Sequence, residues 1–161
     1  MTDGIRALPP HTTTPGYGGW IPFAALTLAL WVADEPSVQS WLLRMLLAYG
    51  ATILAFLGAV HWGFVLARGA PRPALVLALG TVPALVGAAS LMLEPSTALV
   101  TQMIAFGAVW LYEHRVLGEA VLGKAYLDLR RTLTIGVLLI LMVALFAPVS
   151  RSMGLWAARQ H

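Results

Sequence analysis

The sequence predicts an all-α fold: a polytopic bundle of five membrane-crossing helices with the N-terminus inside. Three observations predict it. The 161 residues are 59% hydrophobic and only 11% charged, with a mean hydropathy of +0.80, whereas soluble domains carry about 25% charged residues to cover their surface. The apolar residues fall into separate runs, most of a length to cross a hydrocarbon core of roughly 30 Å. Between the runs stand Pro, Gly and charged residues, which end helices.

Residues 1–19 (MTDGIRALPPHTTTPGYGG) mix Pro, Gly and Thr, which favours an extended arm over a helix. The first span runs from Trp20 to Ala33 with Pro22 in its first turn, where a missing N–H costs least. A cleaved signal peptide is disfavoured there, because Arg6 is the only basic side chain ahead of the run and Trp31 spoils the small-residue cleavage pattern. Asp34, Glu35 and Pro36 close the span.

The second span begins near Trp41 or Met45 and reaches Leu66, ended by Arg68, Gly69 and Pro71. The third runs from Pro73 to Leu93 with Pro83 inside, where a proline kinks the helix or leaves a carbonyl for a neighbour to satisfy. The fourth starts near Thr97, stays apolar to Tyr112, and continues in amphipathic form through Leu117 and Val121, with Gly123 as its stop. The fifth runs from Thr132 to Ala147 and is closed by Pro148, leaving a tail over residues 150–161. Residues 20–149 therefore form one membrane domain.

Five spans place the termini on opposite sides. One side then holds Arg6, Arg68, Arg72, Arg115, Lys124, Arg130 and Arg131, and the other Arg44, Arg151 and Arg159. Seven against three predicts a cytoplasmic N-terminus. The ten basic residues form no stripe, so the net charge of +3 points to anionic lipid headgroups, not nucleic acid. With no cysteine, the chain has no disulfide, thiolate metal site or cysteine nucleophile.

The second span carries the most information. Ala51, Ala55, Ala59 and Gly63 recur every four residues, a smooth ridge for close helix packing, and Gly50 and Gly58 flatten a neighbouring face. His61 is the only histidine within an apolar run, and an ionisable group there usually faces the protein interior or a wet cavity. His114, at the end of the fourth helix, is the only candidate for a second axial imidazole if His61 held a haem. His11 and His161 lie in the tails without metal-ligand spacing, and no metal site is expected. Neither Walker loop, HExxH, GxSxG nor paired carboxylates occur, which argues against a recognised enzyme class. The densest polar stretch joins the fourth and fifth spans, from Glu113, His114 and Arg115 to Asp128, Arg130 and Arg131.

Tyr49-Gly50-Ala51, Phe56-Leu57-Gly58 and His61-Trp62-Gly63, followed by Tyr126-x-x-Leu129-Arg130-x-x-Leu133-Thr134, resemble the membrane family called domain of unknown function 3429. That family includes bacterial proteins and the mitochondrial transmembrane protein 69. The likeness covers Trp20 to Pro148 and implies a small five-helix protein of the bacterial or mitochondrial inner membrane, with no established activity. It singles out Tyr49, Gly50, Gly58, His61, Trp62, Gly63, Tyr126, Arg130 and Thr134. Under the predicted orientation His61, Trp62, Tyr126 and Arg130 share the cytoplasmic leaflet, where they are able to meet and bind a quinone head, a phospholipid or a partner's loop.

The expected function is a non-enzymatic accessory or assembly partner of a larger complex in the bacterial inner membrane, with lipid and protein partners; the bacterial and mitochondrial spread of the resembled family implies a bioenergetic complex. Two alternatives come from other classes. One is a small solute or proton carrier with a pocket near His61 and Pro83. The other is a quinone- or haem-binding redox protein, although no cofactor is required by the residues.

Overall fold

Proline sets where the helices begin. In a computed structural model, which describes residues 13–69, 73–118 and 122–147, Pro36, Pro73 and Pro95 are each the first residue of a helix. At that position the fixed φ suits the helix and the absent N–H would have had no partner. The elements are α1 (Thr13–Gly18), α2 (Trp20–Val32), α3 (Pro36–Arg68), α4 (Pro73–Ser90), α5 (Pro95–Tyr112), a π-helical turn (Glu113–Leu117) and α6 (Lys124–Leu145). The described residues contain no strand.

Several predicted boundaries shift. The arm is not wholly extended, since Thr13–Gly18 is helical. The second span starts at Pro36, ahead of the Trp41 or Met45 expected, and reaches 33 residues, about 50 Å at the usual rise. There Gln39 Nε2 donates to the Ala33 carbonyl at 2.6 Å, tying the polar first turn to the preceding helix. The fourth helix does not run on to Gly123. Its register changes at Glu113, and Gly118, at φ 66°, ends it, because a positive φ suits glycine and no other residue as well. Gly123, at φ 81°, instead precedes α6, which begins at Lys124, not Thr132, and so carries Tyr126, Asp128 and Arg130 on one continuous helix. Pro148 and the tail lie outside the described residues.

Side-chain contacts give the helix directions. Trp20 Nε1 donates to the Leu133 carbonyl at 3.1 Å and Trp31 Nε1 to that of Val143 at 3.2 Å, so α2 and α6 run parallel. Gly58 faces the carbonyl oxygen of Gly80, while Gly87 faces Ala51, so α3 and α4 run antiparallel. Without a Cβ on either glycine the two backbones touch, which is how helices associate in the absence of a hydrophobic drive. On α5, buried Gln102 donates to the Leu47 carbonyl at 2.8 Å and to Ser90 Oγ at 3.0 Å, clasping α3 and α4 together.

The interior holds Phe23, Leu43, Leu46, Leu54, Leu99, Phe106 and Leu141. The outward faces are also apolar, with Leu28, Phe56, Leu66, Leu85, Ile104 and Leu139 all exposed. Two helices, residues Pro36–Ala67 and Pro73–Ser90, are long and apolar enough to cross a membrane, and Gly16–Val32 forms a shorter apolar stretch. Alternating directions put the end of α3, the start of α4, the end of α5 and the start of α6 at one pole of the bundle, while the shorter α2 starts partway along, where the Gly19 carbonyl accepts from Tyr49 Oη.

Candidate functional site: a buried carboxylate at one pole

At that pole a single carboxylate gathers the polar side chains. Glu113 is 1% exposed, His61 3% and Arg130 7%. Arg130 Nε donates to Glu113 Oε2 at 2.9 Å. Tyr126 Oη donates to the other oxygen, Oε1, at 3.4 Å. His61 Nε2 stands 3.6 Å from the same Oε1, just outside hydrogen-bond reach, and its ring is tilted against Tyr112 at 5.7 Å.

Local structure explains why these atoms converge. Tyr126 and Arg130 are one turn apart on α6, so both side chains leave the same face. Glu113 opens the π-helical turn, a feature that often marks functional positions in helices. His61 lies on the last two turns of α3, whose neighbours Gly58 and Gly80 bring α4 close beside it.

The electrostatics follow from burial. A carboxylate and a guanidinium removed from water are tolerable when paired and hydrogen-bonded, and very costly when one stands alone. Glu113 and Arg130 form such a pair and together carry no net charge. Tyr126, on α6 below the apolar part of the helix, has its phenol pKa pushed above the usual 10.0 chiefly by burial and then by the Glu113 charge, with Arg130 opposing. It therefore acts as a donor to Glu113.

Three of the expected residues, His61, Tyr126 and Arg130, come together around Glu113. Trp62 does not join them, since its indole donates to the Leu77 carbonyl on α4 at 3.0 Å and its ring is partly exposed. Tyr49 lies twelve residues before His61, roughly 18 Å along the helix, with its hydroxyl on the Gly19 carbonyl and its ring against Phe23. His114 is exposed and stacks on Trp110 at 5.4 Å, so the two imidazoles are engaged with different neighbours and not offered as a facing pair. Thr134, one turn beyond Arg130, is buried, and its hydroxyl has no partner.

The small-residue ridge also needs correction. The close approaches are made by Gly50 to Gln102, Ala51 to Gly87 and Gly58 to Gly80. Ala55 is half-buried, while Ala59 is exposed and Gly63 has no neighbour within 4 Å. Residues four apart drift around a helix of 3.6 residues per turn, so a seven-residue step, from Ala51 to Gly58, holds one seam better.

Glu113 itself was not singled out by sequence reasoning. Its one signal was position: it directly follows the last apolar run of α5, with Arg130 downstream to match it. Two cavities flank the cluster. One of about 180 Å³ is lined by His61, Leu79, Pro83, Val109 and Tyr112. Another of about 130 Å³ is lined by Trp20, Phe23, Phe106, Arg130 and Thr134 among others. Among the described residues no group of three or more His, Asp or Glu gathers as metal ligands.

The family described as protein of unknown function (DUF3429) matches over residues 8–146. No curated protein and no solved structure matches the chain.

Proposed function

The chain belongs to the DUF3429 family, and we propose that it is a multi-pass, non-enzymatic protein of the bacterial inner membrane, an accessory partner of a larger membrane complex. In this reading the five helices α2 to α6 all cross the bilayer with the N-terminus in the cytoplasm. The apolar outer faces of α2 to α6 support immersion in lipid, and the seven-to-three bias of basic residues supports the orientation. Anionic headgroups then meet the basic pole.

One observation carries the partner reading. Glu113, Arg130, Tyr126 and His61 are turned inward around one carboxylate, whereas the ridge at Ala59 and Gly63 on α3 is left uncovered beside exposed Phe56 and Trp62. Small residues flanked by large apolar ones suit close approach of another transmembrane helix. Affinity purification of the full chain in mild detergent tests this. A stoichiometric membrane partner, lost when Gly63 is replaced by Leu, is the expected outcome, and recovery of the chain alone overturns the reading.

A second reading, a small solute or proton carrier, is favoured by the cavity bordered by His61, Pro83 and Tyr112. Substitution of His61 by Ala then abolishes a flux that the unaltered chain supports in proteoliposomes. Absence of any flux in the unaltered chain removes it.

A further inference from the structure

We infer that His61 and Glu113 form a proton-operated latch: a proton taken up by His61 closes the gap to the Glu113 carboxylate and draws the α3 and α4 pair onto α5 at this pole. The inference goes beyond both readings above and depends on neither.

The fold divides the pole into two pairs of helices. α3 and α4 are joined by the backbone contact of Gly58 with Gly80 and by the Trp62 indole on the Leu77 carbonyl. α5 and α6 are joined through Glu113, whose side-chain hydrogen-bond partners, Arg130 and Tyr126, both belong to α6. Ten residues before Tyr112, Gln102 clasps α5 to both α3 and α4. Between that clasp and the pole, two adjoining clefts of about 260 and 180 Å³ separate α4 from α5, sharing Val82, Pro83, Ala108 and Val109 as walls. The two pairs are thus fastened partway along the bundle and have room to approach at the pole. Pro83, inside α4 at that level, removes one backbone hydrogen bond and supplies a point of bending.

His61 is placed to fasten the pairs there. Its Nε2 stands 3.6 Å from Glu113 Oε1, and both imidazole nitrogens are buried without a hydrogen-bond partner. Buried polar atoms are nearly always satisfied in native proteins, and each exception calls for an explanation. The carboxylate offers one without any ligand. Its Oε2 takes the Arg130 guanidinium at 2.9 Å, whereas Oε1 has only the neutral Tyr126 phenol at 3.4 Å. An imidazolium N–H aimed at Oε1 makes a charge-assisted bond of about 2.7–2.9 Å, so closing the latch moves the two atoms together by roughly 0.8 Å.

The surroundings leave Glu113 as the attracting charge. α4 carries no ionisable residue, α5 presents the Tyr112 ring, and α6 presents Tyr126 and Arg130, the latter on the far oxygen of the carboxylate as the opposing charge. His114 and Arg115 on the π-helical turn and Lys124, Asp128 and Arg131 on α6 are exposed. An imidazole ordinarily changes charge between about pH 5 and 8, which sets the range over which the latch responds.

Solid-state NMR of the full chain in phosphatidylcholine liposomes tests the inference, with isotope-labelled histidine nitrogens and glutamate carboxyl carbons, and with His11, His114 and His161 replaced by Gln so that one histidine reports. On acidification from about pH 8 to 5, the Nε2 resonance is expected to become that of an imidazolium while its distance to a glutamate carboxyl shortens by roughly 0.5–1 Å. Backbone amide exchange over residues 109–117, corrected for its intrinsic pH dependence, is expected to slow by about threefold over the same interval and to show no such slowing in His61→Gln. An imidazole that stays neutral at the acid end, an imidazolium that forms with no shortening, or slowing that persists in a folded His61→Gln variant overturns the inference. The distance is read with His61 in place, so it decides the matter even if His61→Gln fails to fold.

Discussion

Arg130 and Glu113, seventeen residues apart in the chain, are joined through Nε and Oε2 at 2.9 Å with almost no exposure to solvent. This pair ties the start of α6 to the end of α5, and Tyr126 and His61 are arranged around the same carboxylate. Glu113→Ala leaves a buried guanidinium unmatched and is expected to cost about 3–5 kcal/mol. The double variant Glu113→Leu/Arg130→Met is expected to lose much less than the two single changes added together. A double-mutant cycle of unfolding in mixed micelles checks this, and additive losses would falsify the coupling.

Backbone contact between α3 and α4 makes a second prediction. A Cβ at position 58 meets the carbonyl oxygen of Gly80, while one at position 63 meets nothing. Gly58→Ala is expected to destabilise by about 1–3 kcal/mol through overpacking, and Gly63→Ala by no more than about 0.5 kcal/mol in the isolated chain. Thermal unfolding of the two variants side by side distinguishes them, since equal losses would mean the seam lies elsewhere.

The pH dependence of stability follows from Tyr126. Its folded pKa is raised, so the folded state keeps a proton that the unfolded state gives up above the usual value of about 10. The corresponding stability is fully present below that value and is lost as the pH rises through the folded pKa. The parent is expected to lose unfolding midpoint as the pH rises above about 10, and Tyr126→Phe to flatten that decline. An unchanged slope would show that the phenol is not protected.

Topology is directly measurable because the chain has no cysteine of its own. Single cysteines at Ser37 and Met92, at one pole, are expected to react with an impermeant maleimide from outside intact spheroplasts. Cysteines at Gly69 and Lys124, at the other, are expected to react only after lysis. Labelling of Ser37 and Lys124 from the same side would break the alternation of helices.

Much of the bundle was legible because its signals are local. Pro73 reads as a helix start and the apolar runs as the helix bodies, whereas the starts at Pro36 and Pro95 are placed later by sequence, near Trp41 or Met45 and near Thr97, because their first turns are polar. The polar pole was partly legible, since His61, Tyr126 and Arg130 were each visible as unusual residues near span ends. Glu113 was not, because an acid after an apolar run reads as the solvated end of a helix. Its burial depends on the register change at the π-helical turn and on two helices that arrive from elsewhere in the chain.

The packing seam divides in the same way. Composition alone required that these helices associate through small residues, and it supplied two interleaved sets on α3. Which members of each set met a neighbour was decided by the crossing of α3 with α4, where Gly80 and Gly87 face Gly58 and Ala51. Periodicity reports the direction of a side chain around its own helix axis, a property of one helix. Contact is a property of two, and a carboxylate becomes a buried hub only when the helices bearing its histidine, tyrosine and arginine close around it.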